Sequence, residues 1–411
     1  MGDYMKTYKV LDLDYMGRGI CKIDNKIGFV ENSLLDEEVE IQVVKDNAKF
    51  FVGKSTNIYN ANKNRRTFNC KFYNECGGCD IAHMNYEYQL EFKKEKIIKD
   101  LKNIAKLESV NVENVIKSEE LYYRNKISLK VDKDKIGFYK KNSNDIVDID
   151  NCIISNSNIN NILYKLKSFV KKYKNNNIDE IVIKSDVETM VSIYSSNFVL
   201  IDEIIKHLNT DCILLNDTKI YNKDTITFEI LDKKFIVSSN SFFQINKIQT
   251  ENLYKKIIEF SDLKKSDTVL DLYCGVGTIA IFLSEYCKKV IGIEVVESAI
   301  ENAKKNMTLN NLKNIEFINS KVENIIDKIE DKVKLIILDP PRTGCDKKTL
   351  KSILNIHPNK IIYVSCNPST LSRDLFELKN FYNIEVIIPF DMFPNTHHVE
   401  CLVYMSNKEA L

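Results

Sequence analysis

Cys366 stands in a sequence context that suits chemistry at a sulfur atom. Residues 360–363 predict a buried strand, and the chain then breaks at an Asn-Pro pair and resumes as a helix capped by Ser369 or Thr370. The cysteine therefore falls just past the carboxyl end of a strand, where open α/β sheets bind their ligands. A thiol in that position can act as a nucleophile, whereas a cysteine inside a hydrophobic core cannot.

The chemistry that such a thiol would allow is the activation of a pyrimidine ring. Carbon-5 of uracil is a poor nucleophile, but a thiolate that adds to carbon-6 forms an enolate, and carbon-5 can then attack a sulfonium methyl group. A base must afterwards remove the carbon-5 proton so that elimination frees the enzyme. Glu400 is the candidate base, and His397 and His398 either orient it, take its role, or are structural, which is the commonest use of such a pair.

A predicted strand, glycine turn and helix at residues 269–280 indicate a cofactor site. Gly275 and Gly277 let the backbone approach a ligand, and the amino end of the following helix is electropositive. The next predicted strand ends in Glu294, where nucleotide-binding folds hold a ribose diol. This G-x-G-x-x-A pattern alone would also fit an NAD site.

Two acidic residues favour S-adenosylmethionine (SAM) over NAD. Asp271 stands at the strand end before the glycines and suits a ligand with a cationic ammonium group. Asp339 ends a further strand and is followed by Pro-Pro-Arg342. Enzymes that methylate exocyclic nitrogens typically carry an aromatic residue where Arg342 stands, so a ring carbon is the more attractive target.

Composition restricts the remaining possibilities. The chain has 411 residues, enough for two or three domains, and its 59 Lys and Arg against 58 Asp and Glu exclude a chain-wide polycation. A nucleic-acid partner would therefore meet a local basic face. No apolar run is long enough to span a bilayer and no signal-peptide core is visible, so we predict a cytoplasmic protein without a membrane partner.

Short β-prone runs separated by turns fill residues 8–54 and predict a small closed barrel. Gly17-Arg18-Gly19-Ile20, followed by Gly28-Phe29-Val30, resembles the TRAM module, an RNA-binding barrel fused to RNA-modifying enzymes. A purely structural appendage is the alternative. Between residues 84 and 107 a helix is predicted, with one buried stripe formed by Leu90, Ile97, Ile98, Leu101 and Ile104. Lys93 and its neighbouring lysines are predicted to lie on a solvated face.

Three cysteines within ten residues, Cys70, Cys76 and Cys79, indicate a metal site. Cys152 is the best candidate for the fourth ligand, and His83 is the second choice. The spacing does not separate a four-thiolate zinc site from a [4Fe–4S] cluster.

Taken together, these motifs resemble the bacterial RNA uracil-5-methyltransferases, and the resemblance extends over nearly the whole chain. The motifs that carry it are Asn240-Ser-Phe-Phe-Gln244-Ile-Asn246, Asp271-Leu-Tyr273-Cys-Gly-Val-Gly277, Leu338-Asp339-Pro-Pro-Arg342, Ser365-Cys366-Asn-Pro368 and Asp391-Met-Phe-Pro394 with Glu400. The barrel and the cysteine cluster are similar to the branch of the family that acts on 23S ribosomal RNA.

The resemblance implies a role for each matched residue. SAM would contact Gln244, Tyr273, Glu294 and Asp339, Cys366 would be the nucleophile and Glu400 the proton acceptor. It also implies a [4Fe–4S] cluster on Cys70, Cys76, Cys79 and Cys152. The partner would be an RNA substrate, most simply 23S ribosomal RNA, with no indication of DNA or of an obligate protein partner.

The predicted fold class is α/β with three domains. They are a TRAM-like or OB-like barrel (1–59), a central α+β domain with the cysteine cluster (60–238) and a Rossmann-like SAM-dependent methyltransferase domain (239–411). Three alternatives stay open at this point. They are a uracil-5-methyltransferase acting on transfer RNA, an N-methyltransferase of RNA or protein in which Cys366 is structural, and a non-catalytic RNA-binding protein.

Overall fold

The computed structural model describes residues 7–23, 25–174 and 176–409, so the first six residues of the predicted barrel domain lie outside it. The amino-terminal segment forms a six-stranded sheet in the order β1-β5-β6-β4-β3-β2. Its two outer strands are consecutive pieces of one kinked segment, so the sheet closes on itself and leaves no free edge. The strands are β1 (Tyr8–Lys9), β2 (Asp12–Leu13), β3 (Gly19–Ile23), β4 (Lys26–Glu31), β5 (Glu38–Asp46) and β6 (Phe50–Tyr59).

A second sheet of seven strands occupies the middle of the chain, with helices α2 and α3 packed against it. Helix α1 (Tyr86–Asp100), extended by a π-helical turn (Leu101–Ala105), precedes it. The remaining elements are β7 (Lys126–Asp132), β8 (Lys135–Tyr139), β9 (Ile146–Asp148), α2 (Ser157–Lys172), β10 (Glu180–Ser185), β11 (Thr189–Tyr194), α3 (Ile201–Leu208), β12 (Cys212–Leu215) and β13 (Thr218–Asn222).

The carboxyl-terminal part has the Rossmann-like order β18-β17-β16-β19-β20-β22-β21, in which β22 runs antiparallel to its two neighbours and the other six strands share one direction. The predicted α/β fold class is therefore confirmed. The elements are α4 (Lys247–Ser261), β16 (Thr268–Leu272), α5 (Thr278–Ser284), β17 (Lys289–Glu294), α6 (Glu297–Leu309), β18 (Ile315–Asn319), α7 (Val322–Ile325), β19 (Val333–Leu338), α8 (Lys347–Ile356), β20 (Lys360–Ser365), α9 (Pro368–Leu378), β21 (Tyr382–Phe390) and β22 (Glu400–Asn407).

Two elements before residue 239 pack onto this last sheet. The hairpin of β14 (Thr225–Ile230) and β15 (Lys233–Ser238) buries Phe228 and Phe235 in the same core as α4 and α5. Helix α1 buries Ile97 in the core on the other face of the sheet. The domain boundaries stay a prediction, but the carboxyl-terminal core draws side chains from both sides of position 239.

Helix α1 differs from its prediction on the polar side. Lys93 is completely buried rather than solvated, whereas Ile98 and Ile104, predicted to be buried, are 44% and 37% exposed. The cause is that α1 packs against both the amino-terminal sheet and the last sheet, which turns part of its lysine face inward. Within the described ranges, no helix is long and apolar enough to cross a membrane.

Candidate active site

The register of two antiparallel strands brings Cys366 and Glu400 together. Ser365, the last residue of β20, pairs with Cys401, the second residue of β22. Cys366 directly follows the first of these residues and Glu400 directly precedes the second, so both lie at the same end of the strand pair. Glu400 is buried and Cys366 half-buried, and the two groups interact electrostatically.

Burial, followed by the nearby Glu400 carboxylate, raises the pKa of the Cys366 thiol to about 11. The guanidinium of Arg342 opposes this rise through its positive charge. Burial and the carboxylate of Asp339 also raise the pKa of Glu400 well above its ordinary value, again opposed by Arg342. The thiol, two carboxylates and one guanidinium therefore form a single electrostatic unit.

Helix α9 holds the loop that carries Arg342. The Asn367 amide and the Thr370 hydroxyl both donate to the Arg342 carbonyl oxygen, at 3.0 and 3.1 Å. Further along, the Asp374 carboxylate accepts from the Cys345 amide at 2.8 Å. Because Asn367 also caps α9 and directly follows Cys366, the thiol and the guanidinium belong to one hydrogen-bonded unit.

Two more carboxylates, Asp271 and Glu294, join Asp339 around the crevice at the carboxyl ends of β16, β17 and β19. Asp271 is 1% exposed, and its Oδ2 accepts from the Ala280 amide at 3.0 Å while its Oδ1 has no partner. Burial, and then the charge of Asp339, raise the pKa of Asp271 to about 8. Burial likewise raises the pKa of Asp339 to about 7. Glu294 adds to the same negative field, so this crevice suits a cation.

The glycine turn between β16 and α5 borders that crevice. Gly275 has φ +54°, and a Cβ built on it would meet nothing within 4 Å, so the backbone faces open space there. Its amide donates to Glu294 Oε2 at 3.2 Å. Gly277 is required for packing, because it has φ +79° and a Cβ would lie 2.6 Å from the Phe317 ring.

The other two predicted SAM contacts lie at the sides of the crevice. Tyr273 has a left-handed φ of +64° and sits beside Cys345 and Thr349, towards α8. Gln244 lies in the segment before α4, where its carbonyl oxygen accepts from the Asn125 amide at 3.0 Å. The structure thus brings Cys366, Glu400, Asp339, Asp271 and Glu294 within electrostatic reach of one another, whereas the contacts of Tyr273 and Gln244 are with α8 and with Asn125.

Two neighbours of the crevice were not predicted to take part in it. In the sequence, Arg342 served only as an argument against an amino-bearing target base. In the structure its positive charge lies near the Cys366 thiol and lowers the pKa of that thiol. Tyr254 of α4 is buried with its hydroxyl 2.7 Å from Thr278 Oγ1, and Asp339, Asp271 and Glu400 all raise its pKa. The basic side chain of Arg342, in a loop that follows a strand, could have indicated its place in the site. Nothing in the sequence distinguishes Tyr254 from a core residue.

The two histidines stack on each other with ring centroids 4.1 Å apart. His397 Nδ1 lies 2.7 Å from Asp80 Oδ2, so its ring is held by the segment that follows the cysteine cluster. Burial lowers the pKa of His398 to about 3, which keeps this ring neutral.

Cys70, Cys76, Cys79 and Cys152 line one pocket of about 180 Å³ with largely apolar walls. Burial raises the pKa of Cys76 to about 11, and the pKa values of Cys70 and Cys79 are raised as well, each further by its thiol neighbours. Such thiols would ionise only with a compensating cation. His83, the second choice for a ligand, lies outside the pocket lining with its Nδ1 2.6 Å from the Tyr73 hydroxyl.

No three His, Cys, Asp or Glu side chains in the described ranges are arranged to hold a metal ion. Four thiolates around one zinc would have to approach to about 3.8 Å, the edge of a tetrahedron with Zn–S bonds of about 2.3 Å. A four-iron cluster is larger than an ion and holds its cysteines further apart. What the structure shows of the four cysteines is that they line one pocket.

Comparison with known proteins identifies the family. The family model for tRNA (Uracil-5-)-methyltransferase matches residues 85–408. The chain belongs to this RNA uracil-5-methyltransferase family. It is therefore a SAM-dependent RNA methyltransferase, as the sequence motifs predicted. The non-catalytic alternative is excluded.

Relatives support this assignment over the full length of the methyltransferase. An RNA methyltransferase of Clostridium acetobutylicum is 38% identical over 435 residues, which cover 95% of either protein. One of Staphylococcus aureus strain MSSA476 is 34% identical over 98% of either protein. The crystal structure of Pyrococcus abyssi tRNA (uracil-54, C5)-methyltransferase with S-adenosyl-L-homocysteine superposes with a TM-score of 0.80 at 28% identity, covering 98% of this chain and 100% of that one.

Proposed function

We propose that this methyltransferase modifies carbon-5 of uridine in 23S ribosomal RNA through a covalent bond between Cys366 Sγ and carbon-6 of the base. The observation that carries the mechanism is the proximity of Cys366 to Glu400, at the same end of two paired strands and beside an acidic crevice. A nucleophile and a proton acceptor on one face are what addition, methylation and elimination require.

The chain's own residues divide this reaction between them. The Arg342 guanidinium favours the Cys366 thiolate, which adds to carbon-6 and makes carbon-5 nucleophilic. SAM supplies the methyl group that carbon-5 takes. Glu400 then accepts the carbon-5 proton, and the carbon–sulfur bond breaks. This step restores the Cys366 thiolate on the enzyme and frees the methylated RNA.

We assign the acidic crevice to the positive charges of SAM. Asp271, with one unpaired carboxylate oxygen, and Asp339 are the proposed partners of these charges. Glu294 would hold the ribose, and the open space at Gly275 leaves room for the ligand to pass close to the backbone. Tyr273 and Gln244 would complete the contacts at the sides.

SAM affinity is expected to weaken as the pH falls. Asp271 and Asp339 have raised pKa values of about 8 and 7 in the free protein, and a cationic ligand favours their ionised forms. Below pH 7 binding must therefore expel protons, and we expect the Kd to rise at least tenfold between about pH 8 and pH 6. Calorimetric titration in two buffers of different ionisation enthalpy measures both the Kd and the protons released.

The matched variant for this experiment is Asp271→Asn, which removes one of the titrating groups without changing its size. It should bind SAM more weakly at pH 8 and lose part of the pH dependence. Proton uptake on binding, or a Kd that is constant over this range, would contradict the assignment of the crevice.

We infer further that the pocket of Cys70, Cys76, Cys79 and Cys152 holds a [4Fe–4S] cluster. Because metal-binding free energy adds to folding free energy, Cys79→Ser should lower both the iron content and the melting temperature. Iron and sulfide analysis of anaerobically purified protein measures the first. Cys287→Ala, a buried cysteine elsewhere in the fold, should leave the iron content unchanged. Zinc in place of iron would refute the cluster.

A transfer RNA is the second candidate substrate. The Pyrococcus abyssi enzyme that this chain matches along its whole length acts on uracil-54 of tRNA, so a closed amino-terminal sheet is compatible with that substrate. Mapping 5-methyluridine across ribosomal and transfer RNA, in cells with and without the gene, decides between the two. A product methylated on nitrogen would support the N-methyltransferase alternative and overturn carbon-5 methylation.

A further inference from the structure

The loop that joins β21 to β22 and ends at Glu400 is long and buried. It spans residues 391–399, whereas hairpin connections usually have two to five residues. Asp391 and Asn395 within it have no exposed surface. Loops normally run over the surface because their polar backbone groups need partners, so a buried one must be supplied with them.

One face of helix α1 supplies those partners. Gln89, Lys93 and Lys96 are spaced so that all three project from the same side of the helix. Lys93 is fully buried, and its Nζ donates to Asp391 Oδ1 at 2.5 Å and to the Phe393 carbonyl oxygen at 3.1 Å. An ammonium without exposed surface is costly unless it is paired and hydrogen-bonded, as it is here.

The other two side chains form hydrogen bonds with the middle and the end of the loop. Gln89 accepts from the Asn395 amide at 2.9 Å, and its own amide donates to Asn395 Oδ1 at 3.2 Å. Asn395 needs such support, because it adopts a left-handed φ of +68°. Lys96 donates to the His397 carbonyl oxygen at 3.2 Å, three residues before Glu400.

We infer that this face of α1, formed by Gln89, Lys93 and Lys96, is the positioning element for Glu400 and thereby sets how fast the enzyme is released from methylated RNA. The inference rests on the proposed function. Glu400 is the first residue of β22 and pairs with Phe390 of β21, so its position also depends on the loop that precedes it. Arg66 and Tyr123 also hydrogen-bond this loop, but the buried ammonium that holds it comes from α1, about 300 residues earlier in the chain.

The inference separates two steps of the reaction. Addition of Cys366 to the ring does not need Glu400 to act as a base, whereas removal of the carbon-5 proton does. RNA containing 5-fluorouridine reports the first step, because it offers no carbon-5 proton and stays bound to the sulfur. Ordinary uridine RNA reports both steps, since a methylated adduct persists only if elimination is slow.

The test compares a double variant, Lys93→Met/Asp391→Leu, with the wild type. Replacing both members of a buried ion pair by apolar side chains is usually tolerated, whereas removing one member leaves a buried charge alone. Misplacing a catalytic group by about 1 Å can cost about 100-fold in rate, so we expect release of methylated uridine RNA to slow by about 10- to 100-fold. Capture of 5-fluorouridine RNA should keep its wild-type rate.

Two further variants make the result decisive. Gln89→Met removes both bonds to Asn395, together with one bond to the Met84 carbonyl oxygen within the same segment, and should show the same accumulation of adduct if the double variant does not fold. Lys94→Met changes the next residue, which bonds Asn114 on the exposed side, and should behave as wild type.

The positioning role would be overturned if capture and release slowed equally. It would also be overturned if the double variant and Gln89→Met both released methylated RNA at the wild-type rate. Failure of the wild-type enzyme to capture 5-fluorouridine RNA at all would instead overturn the covalent mechanism, and this inference with it.

Discussion

Cys366→Ala is expected to abolish both methyl transfer and covalent capture of 5-fluorouridine RNA. Without the sulfur, carbon-5 of uracil gains no electron density, and no neighbouring group can replace the thiolate. Loss of a nucleophile in covalent enzymes lowers kcat by about 10⁴-fold or more, which places this variant at the background rate. Transfer of a labelled methyl group to RNA, and a denaturing gel for the adduct, measure the two effects.

The control for this variant is the neighbouring Cys401, which is fully buried and pairs with Ser365 on the adjacent strand. Cys401→Ala should retain capture, because its sulfur lies inside the hydrophobic core rather than at the crevice. A Cys366→Ala enzyme that still methylates carbon-5 would show that the nucleophile has been assigned wrongly.

The pH dependence of capture provides a second check on the same sulfur. The pKa of Cys366 is raised to about 11, so at neutral pH most of the population is the thiol, and the thiolate fraction grows about tenfold per pH unit below that value. The capture rate should therefore rise with pH across the neutral range. Arg342→Met removes the guanidinium that lowers the pKa of the thiol and should lower the rate at every pH in that range.

The residues at the ends of parallel strands could be predicted from the sequence. Asp271, Glu294, Asp339 and Cys366 each end an apolar run, and parallel strands bring their carboxyl ends to one edge, so their proximity followed from pattern alone. The fold class followed for the same reason. Tyr273, with its left-handed backbone and its position beside α8, was named only through the family resemblance.

The contacts that cross the chain could not be predicted. Lys93 belongs to a helix rich in lysines and looks like any solvated residue until its partner, 298 residues away, is known. The pairing of Ser365 with Cys401 depends on the register of an antiparallel strand, which no local pattern specifies. Glu400 was recognised as an acid near the right motif, but its proximity to the thiol is a result of that register.

Glu400→Gln is expected to separate methyl transfer from release. The amide cannot accept the carbon-5 proton, so the methylated base should stay bound to Cys366 and the enzyme should stop after one turnover. General-base catalysis contributes about 10²- to 10⁴-fold, and steady-state turnover should fall by that factor while one methyl group per enzyme is still transferred. Quench-flow with labelled SAM measures the single turnover, and a denaturing gel measures the adduct.

Release by the wild-type enzyme should also depend on pH in a defined direction. Burial and the nearby Asp339 carboxylate raise the pKa of Glu400, so the ionised form that can accept a proton becomes more abundant as the pH rises. Adduct on uridine RNA should therefore persist longer at low pH. Glu385→Gln, an exposed carboxylate on the neighbouring strand β21, serves as the control and should release its product normally. A Glu400→Gln enzyme that turns over at the wild-type rate would assign the base to another group, of which His398, two residues earlier, is the nearest histidine in the sequence.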